Sequence, residues 1–274
     1  MPFTKAQAVL KKVLPGKAFN TVYDLACWGY NRYQGAVDIK YYYLPRKSIE
    51  ETKKVTALRV ILPYTMVGRR GLIATYDAIY DIETRGIKGC LVECGVAKGG
   101  CSALMALVSR EFAGNRVSWL FDSFEGLPAC TIEDGNPKIP KTDNKSADKL
   151  SEGFCLGTWE EVESLMFSTL RFDRSRTFMV KGWFQDTLPG YKSKVGDIAI
   201  LRLDGDWYES TKCCLENLYD LVVDGGYVII DDYDLVGCRK ALNEFLDKRG
   251  EKPDVVLDGR GGGWFRKGKS SGNR

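Results

Sequence analysis

Histidine is absent from the 274 residues, which removes the commonest general base and the commonest metal-ligating side chain. Any chemistry falls to carboxylates, lysine, tyrosine or cysteine. The nine cysteines form no CxxC pair, so neither a zinc site nor an ordered disulfide framework is indicated. Reduced thiols in a cytoplasmic setting are the simpler expectation. No run of about 18 apolar residues occurs, and the opening MPFTKAQAVLKKVLPGK breaks its apolar positions with lysines. Neither a signal peptide nor a membrane span is expected. Blocks of like charge are also missing: 40 basic residues are scattered against 36 acidic ones, leaving a net +4. That is a solvated surface rather than a nucleic-acid footprint. No internal repeat is visible.

What is present centres on Gly89 to Gly100, GCLVECGVAKGG, where a short apolar run stops at Glu93 and gives way to a glycine turn. The pattern from Ser102 to Arg110 that follows is helical. A strand, a sharp glycine turn and a helix N-terminus together hold the polar end of a nucleotide-like ligand. Tight packing of strand on helix is the alternative use of the same glycines.

The length suits one domain with extensions. Residues 1–57 carry a candidate amphipathic helix at Lys5–Val13, aromatics at Trp28, Tyr30, Tyr33 and Tyr41–Tyr43, and a charged run Ser48–Lys54. With no sustained period, this reads as an N-terminal arm or lid whose aromatics pack rather than meet ligand. Residues 58–267 read as the main domain and 268–274 as a flexible tail. Within the domain, apolar positions at helical spacing predict a helix over Leu72–Glu83. Strands are expected at Val117–Phe121, Thr177–Val180, Asp197–Leu203 and Gly226–Ile230. Helices are expected at Thr158–Met166, with Thr158 and Glu161 as a capping box, and at Ser210–Val222 and Arg239–Lys248. Asp254–Leu257 and Gly263–Lys267 read as a final antiparallel pair. The alternation predicts an α/β fold: a Rossmann-like, mostly parallel sheet with an antiparallel C-terminal strand and helices on both faces. The polar stretch over residues 130–153 is too long for an ordinary connection and reads as a mobile loop near the site.

Several predicted strands end in acids. Asp122 stands 22 positions past Gly100 at the end of the next strand, placed either to accept the hydroxyls of a ribose or to cap a helix. Asp204 ends one strand, and Asp231 and Asp232 end the next. On parallel neighbours about 4.8 Å apart their carboxylates converge. Two such charges at 4 Å repel by roughly 4 kcal/mol at an effective dielectric of 20, so the cluster calls for a cation or for protons. With oxygen donors only, that cation is hard: Mg²⁺ first, Ca²⁺ or Mn²⁺ as alternatives. The acids could instead cap helices or pair with Arg202 and Arg239.

These segments, read together, resemble a known family. Thr65-Met66-Val67-Gly68, Glu93 to Gly100, Asp122-Ser123-Phe124-Glu125-Gly126-Leu127-Pro128, and Gly182-Trp183-Phe184 through Pro189 are followed by Leu201 through Thr211, Ile229 to Tyr233 and Gly237-Cys238-Arg239-Lys240. The series resembles the macrocin O-methyltransferase (TylF-type) family of Mg²⁺-dependent, S-adenosylmethionine-dependent sugar O-methyltransferases, over about Thr65–Phe265. The resemblance implies cofactor contacts from Thr65, Met66, Glu93, Cys94, Gly95, Val96, Gly99, Asp122, Ser123, Phe124, Gly182 and Trp183. It implies Asp204, Asp231 and Asp232 as metal ligands and Asp206 as the base. The partner it implies is a sugar or glycoside, with no nucleic acid or membrane and with a homo-oligomer left open. Where the family usually shows Thr-Gly-Val-Trp-Arg, this chain has Cys94 to Lys98, so the wall of the cofactor pocket differs. A nicotinamide dehydrogenase would use the same turn and Asp122 but has no need of the three acids. A catechol-type O-methyltransferase and a non-catalytic glycan- or nucleotide-binding module are the other competing readings.

Overall fold

The computed structural model describes residues 35–112, 114, 116–135 and 152–268. The Lys5–Val13 helix, Trp28, Tyr30, Tyr33, most of the polar loop and the end of the tail lie outside them. The chain divides into two units, Met1–Arg59 and Val60–Arg274.

In the first unit residues 35–43 are helical (α1). A second helix, α2 (Ile49–Ile61), begins there and crosses the boundary. The charged run taken as irregular is the start of α2. Ser48 caps it by accepting the Glu51 amide at 3.1 Å, and Glu50 and Glu51 sit in the first turn, where acids suit the helix dipole. The run lacks an apolar stripe, which is why periodicity passed over it. Tyr41 packs edge-on against Tyr42 and under Arg46, so these aromatics serve packing, as expected.

The second unit is built on a seven-stranded sheet of order β3-β2-β1-β4-β5-β7-β6. The strands are β1 (Cys90–Cys94), β2 (Ser118–Asp122), β3 (Thr177–Lys181), β4 (Ile198–Leu203), β5 (Val222–Ile230), β6 (Val256–Leu257) and β7 (Gly263–Arg266). The first five pair in parallel, while β7 lies antiparallel between β5 and β6. This is the expected fold class, and each expected strand is present. β1 and β4, the central pair, are buried along their whole length, as strands covered on both faces must be.

The helices are α3 (Arg69–Thr84), α4 (Gly100–Glu111), α5 (Trp159–Glu163), α6 (Phe184–Val195), α7 (Tyr208–Leu218) and α8 (Val236–Arg249). Alternation along the strands separates two cores. Cys90, Val92 and Cys94 of β1 pack with residues of α6, α7 and α8. Leu91 and Glu93 point the other way, toward α3 and α4.

Three differences from expectation are physical. Helix α6 was not anticipated because Pro189 lies inside it, and an internal proline argues against a helix in sequence. α7 ends at Leu218, and Val222 already belongs to β5, which runs through Gly225 and Gly226 where glycines argue for a start. The Thr158 capping box is present, but α5 is one turn long and continues as a π-helical segment, Ser164–Thr169. Among the described residues no helix is long and apolar enough to cross a membrane.

Candidate active site

Backbone pairing carries on past the strand ends and lines up the residues that matter. The Gly95 amide donates to Phe121 O, that of Asp204 to Cys94 O, and that of Asp231 to Leu203 O, all within 3.0 Å. Sheet order reverses direction between β1 and β4, and such a switch point leaves a crevice beyond the carboxyl ends of the strands. A cavity of about 520 Å³ occupies it. Its wall includes the glycine turn together with Asp204, Asp206, Asp231 and Asp232.

The turn is held by protein as much as it is shaped for a ligand. Gly95 has φ +87°, and a Cβ there would fall on the Asp204 carbonyl oxygen. A Cβ on Gly100 would fall on that of Tyr64. These glycines admit neighbouring backbone, so the packing use of the turn is realised. Asp122 accepts the amides of Val96 (2.6 Å) and Ala97 (2.9 Å) on one oxygen and that of Phe124 (2.7 Å) on the other. Three backbone amides thus hold the carboxylate, and the Ser123 side chain bonds to it as well. Burial raises the Asp122 pKa, and these hydrogen bonds oppose that rise.

Thr65, Met66, Glu93, Gly95, Val96, Asp122, Ser123 and Trp183 line the cavity. The cavity wall does not include Cys94, Gly99, Phe124 or Gly182. Cys94 belongs to the core on the α6–α8 face, because strand alternation sends it away from its neighbour Glu93. Gly99 is the left-handed N-cap of α4. Phe124 is buried against the Trp159 ring. Gly182 donates its amide to the Asp122 carbonyl and supports the wall from behind.

Elsewhere on the cavity wall, carboxylate oxygens of Asp204, Asp206 and Asp232 lie within 4.8 Å of one another. This grouping differs from the expected one by a single member: Asp206 stands where Asp231 was placed. Beside the group lies Arg202, fully buried on β4. Its Nη2 donates to Asp204 Oδ2 at 2.8 Å and to Asp231 Oδ1 at 2.6 Å. Its Nε donates to Glu93 Oε1 at 2.9 Å, and the other Glu93 oxygen accepts from Ser102. The pairing of strand-end acids with Arg202, weighed above as an alternative to a metal, is therefore real and coexists with the cluster. Arg239 plays no such part, since it donates to the carbonyls of Tyr233 and Asp234.

Asp206 is 7% exposed and its φ is +57°, a left-handed conformation that aspartate tolerates better than most side chains. Its amide donates to Asp232 Oδ2 at 3.1 Å. Burial, and then the Asp231 charge, push its pKa up to about 7. Asp204 and Asp232 are raised too, first by burial and then by the neighbouring acids. Protein atoms alone leave this end short of positive charge. An oxygen-only donor set of this kind fits a hard divalent cation.

Phe184 and Gln185, from the unanticipated start of α6, and Glu209 and Ser210 escaped the sequence reading; they line the cavity with Trp207, the neighbour expected to shield Asp206 from water. Ser210 and Phe184 flank Gly205, between the two aspartates. Trp207 Nε1 donates to Pro128 O at 2.9 Å. Asp134 falls in the stretch read as a mobile loop, yet it is buried and accepts the Tyr208 amide at 2.7 Å, so that it closes the N-terminus of α7. A signal existed: Thr131 and Asp134 have capping-box spacing. The eight described cysteines are all unpaired, and Cys101, Cys155 and Cys213 of these line the cavity.

A family model described as Macrocin-O-methyltransferase (TylF) matches residues 9–267. The chain is 36% identical over 203 residues to a Streptomyces olivaceus protein named 8-demethyl-8-(2,3-dimethoxy-alpha-L-rhamnosyl)-tetracenomycin-C 4'-O-methyltransferase, covering 73% of this chain and 75% of that one. It is 28% identical over 236 residues to the mycinamicin III 3''-O-methyltransferase of Micromonospora griseorubida, covering 86% and 91% respectively. Among solved structures, the O-methyltransferase NovP superposes with a TM-score of 0.62 at 31% identity, over 75% of this chain and 83% of that one.

Proposed function

The chain belongs to the macrocin O-methyltransferase (TylF) family and is an O-methyltransferase, and from that premise we propose that it moves the methyl group of S-adenosylmethionine to a hydroxyl of a sugar or glycoside with Mg²⁺ at its acid cluster. One observation carries this reading: a single cavity is lined both by a glycine turn at a helix N-terminus and by a cluster of oxygen-only acids. The relatives named above as methylating a rhamnosyl tetracenomycin and mycinamicin III support a sugar as acceptor. A nicotinamide dehydrogenase falls away with the family.

In this proposal Thr65, Met66, Gly95, Val96, Asp122, Ser123 and Trp183 hold the cofactor. Glu93 acts through Arg202 and Ser102. Asp204 and Asp232 hold the cation together with the Asp231 oxygen that Arg202 leaves free. Bound, the cofactor supplies an activated sulfonium methyl, and the cation lowers the pKa of the acceptor hydroxyl. Asp206, whose carboxylate lies in the same cluster as Asp204 and Asp232, accepts the proton of that hydroxyl. Trp207 and Phe184 cover this end of the cavity against water, and Gln185, Glu209 and Ser210 offer the sugar polar contacts.

The test is incubation with S-adenosylmethionine and a panel of deoxysugar glycosides and catechols, read by mass. One methyl gained by a glycoside, lost in EDTA and restored by Mg²⁺, is the expected outcome. Undiminished turnover in EDTA removes the cation from the proposal, and turnover of catechols alone moves the substrate class.

A further inference from the structure

Arg202 is the largest side chain in the described chain with no access to solvent, and no step above uses it. A buried guanidinium is retained only where its hydrogen bonds are met. Here they run to three elements: Glu93 on β1, Thr75 Oγ1 on α3 at 3.4 Å, and Asp204 and Asp231 beyond β4 and β5. One nitrogen serves the last two. Nη2 takes Oδ2 of Asp204 and Oδ1 of Asp231, so each of these carboxylates has one oxygen fixed inward and the other left over. Both residues line the cavity.

We propose that Arg202 is a positioning residue for the cation site, fixing one oxygen of Asp204 and one of Asp231 so that their second oxygens face the cavity together. This rests on the reading of the cluster as a Mg²⁺ site. Asp204 and Asp231 sit on separate strands, and carboxylates rotate freely about their terminal torsion. Without a common anchor, each would swing to relieve the repulsion between two like charges. The planar guanidinium is itself held by Glu93 through Nε, which fixes where Nη2 meets the two aspartates; a lysine ammonium on a flexible stem lacks that second point of attachment. Outer partners of this kind orient metal ligands, and their loss typically costs about 10–100-fold in metal affinity. The same guanidinium ties Glu93, beside the cofactor turn, to the cation end. Its Glu93 bond balances the buried charge and leaves Nη2 free for the two aspartates.

The decisive variant is Arg202→Lys, which keeps the charge and removes the planar guanidinium. Mg²⁺ affinity is measured by calorimetry, S-adenosylhomocysteine affinity is measured in EDTA, and folding is followed by circular dichroism. We expect a folded protein whose Mg²⁺ dissociation constant rises about 10–100-fold while that for S-adenosylhomocysteine, read without metal, stays within about threefold. A folded variant with wild-type Mg²⁺ affinity overturns the proposal. Equal losses of both affinities overturn it as well, since they mark general damage to the site. Should Arg202→Lys fail to fold, the pair Arg202→Gln with Glu93→Gln removes the buried charges together and keeps polar partners of similar shape. The same Mg²⁺ loss is expected there, and an unchanged affinity again overturns the role. Absence of Mg²⁺ binding by the wild-type protein defeats the cation reading itself, and this proposal with it. Binding by wild type with no difference in the variants defeats this proposal alone.

Discussion

The two ends of the cavity are built on opposite principles. At the turn, polar groups are satisfied from within: Asp122 receives three backbone amides, and the glycines are filled by neighbouring carbonyls. At the acid cluster, one guanidinium pairs with Asp204 and Asp231 and, toward the turn, with Glu93, while Asp206 and Asp232 stand close to Asp204 with no such cation among the described residues. The first end is complete as protein. The second is an electrostatic mismatch that protons or a cation must relieve. The comparison teaches that the turn is a stable scaffold, whereas the acid cluster stores its function in what it lacks.

Four measurements sharpen or break that contrast. The largest effect is expected from Asp206→Asn, which keeps shape and loses proton acceptance. kcat should fall roughly 10²–10⁴-fold with KM little changed, and calorimetry should give Mg²⁺ affinity near wild type. A large loss of Mg²⁺ affinity instead would make Asp206 a ligand, in line with its place in the cluster, and would shift the base elsewhere.

Next is the pH dependence of stability without metal. The folded pKa of Asp206, about 7, lies above its ordinary 3.8, so the folded state holds the proton more tightly than the unfolded one. Stability is then greatest below about pH 4 and is lost as pH rises to 7, by on the order of 4 kcal/mol for this group. Denaturant titrations in EDTA across that range should show the decline, and saturating Mg²⁺ should flatten it. Stability that rises with pH in EDTA would mean the acids are already neutralised by protein.

A smaller effect is expected at the turn. Asp122→Ala strands three amides and should lower stability by about 1–3 kcal/mol, weakening S-adenosylhomocysteine binding while leaving Mg²⁺ affinity alone. A loss of Mg²⁺ affinity of similar size would show the two ends to be one cooperative unit. Smallest is Asp134→Ala, whose lost cap on α7 should cost about 0.5–2 kcal/mol, visible as a lower Tm with both affinities retained. A tenfold loss of Mg²⁺ affinity would place this cap within the site rather than beside it.

The contrast also explains what was legible in the sequence. Apolar runs ending in acids mark β1, β2, β4 and β5, because hydrophobic burial stops where the cavity begins. Strand neighbourhood then brings Asp204 and Asp232 together without further information. Whether an acid is engaged by a neighbour is a different matter. The capture of Asp231 by Arg202 depends on rotamers and on side chains from three elements, and Cys94 turns from the cavity through alternation within β1. Helix α6 was hidden by Pro189, and with it Phe184 and Gln185. Asp134 was read by the polarity of its surroundings, when its spacing from Thr131 was the better guide.

Asp134 also bears on the cavity wall. It fixes one side of the polar segment to α7, and the other side is clamped where the Leu127 and Gly153 amides donate to Phe154 O and Leu127 O. Thr131 and Cys155, just outside those two anchors, line the cavity. The anchors therefore hold the described chain on both sides of the polar segment against the cavity wall, next to the acids and their arginine.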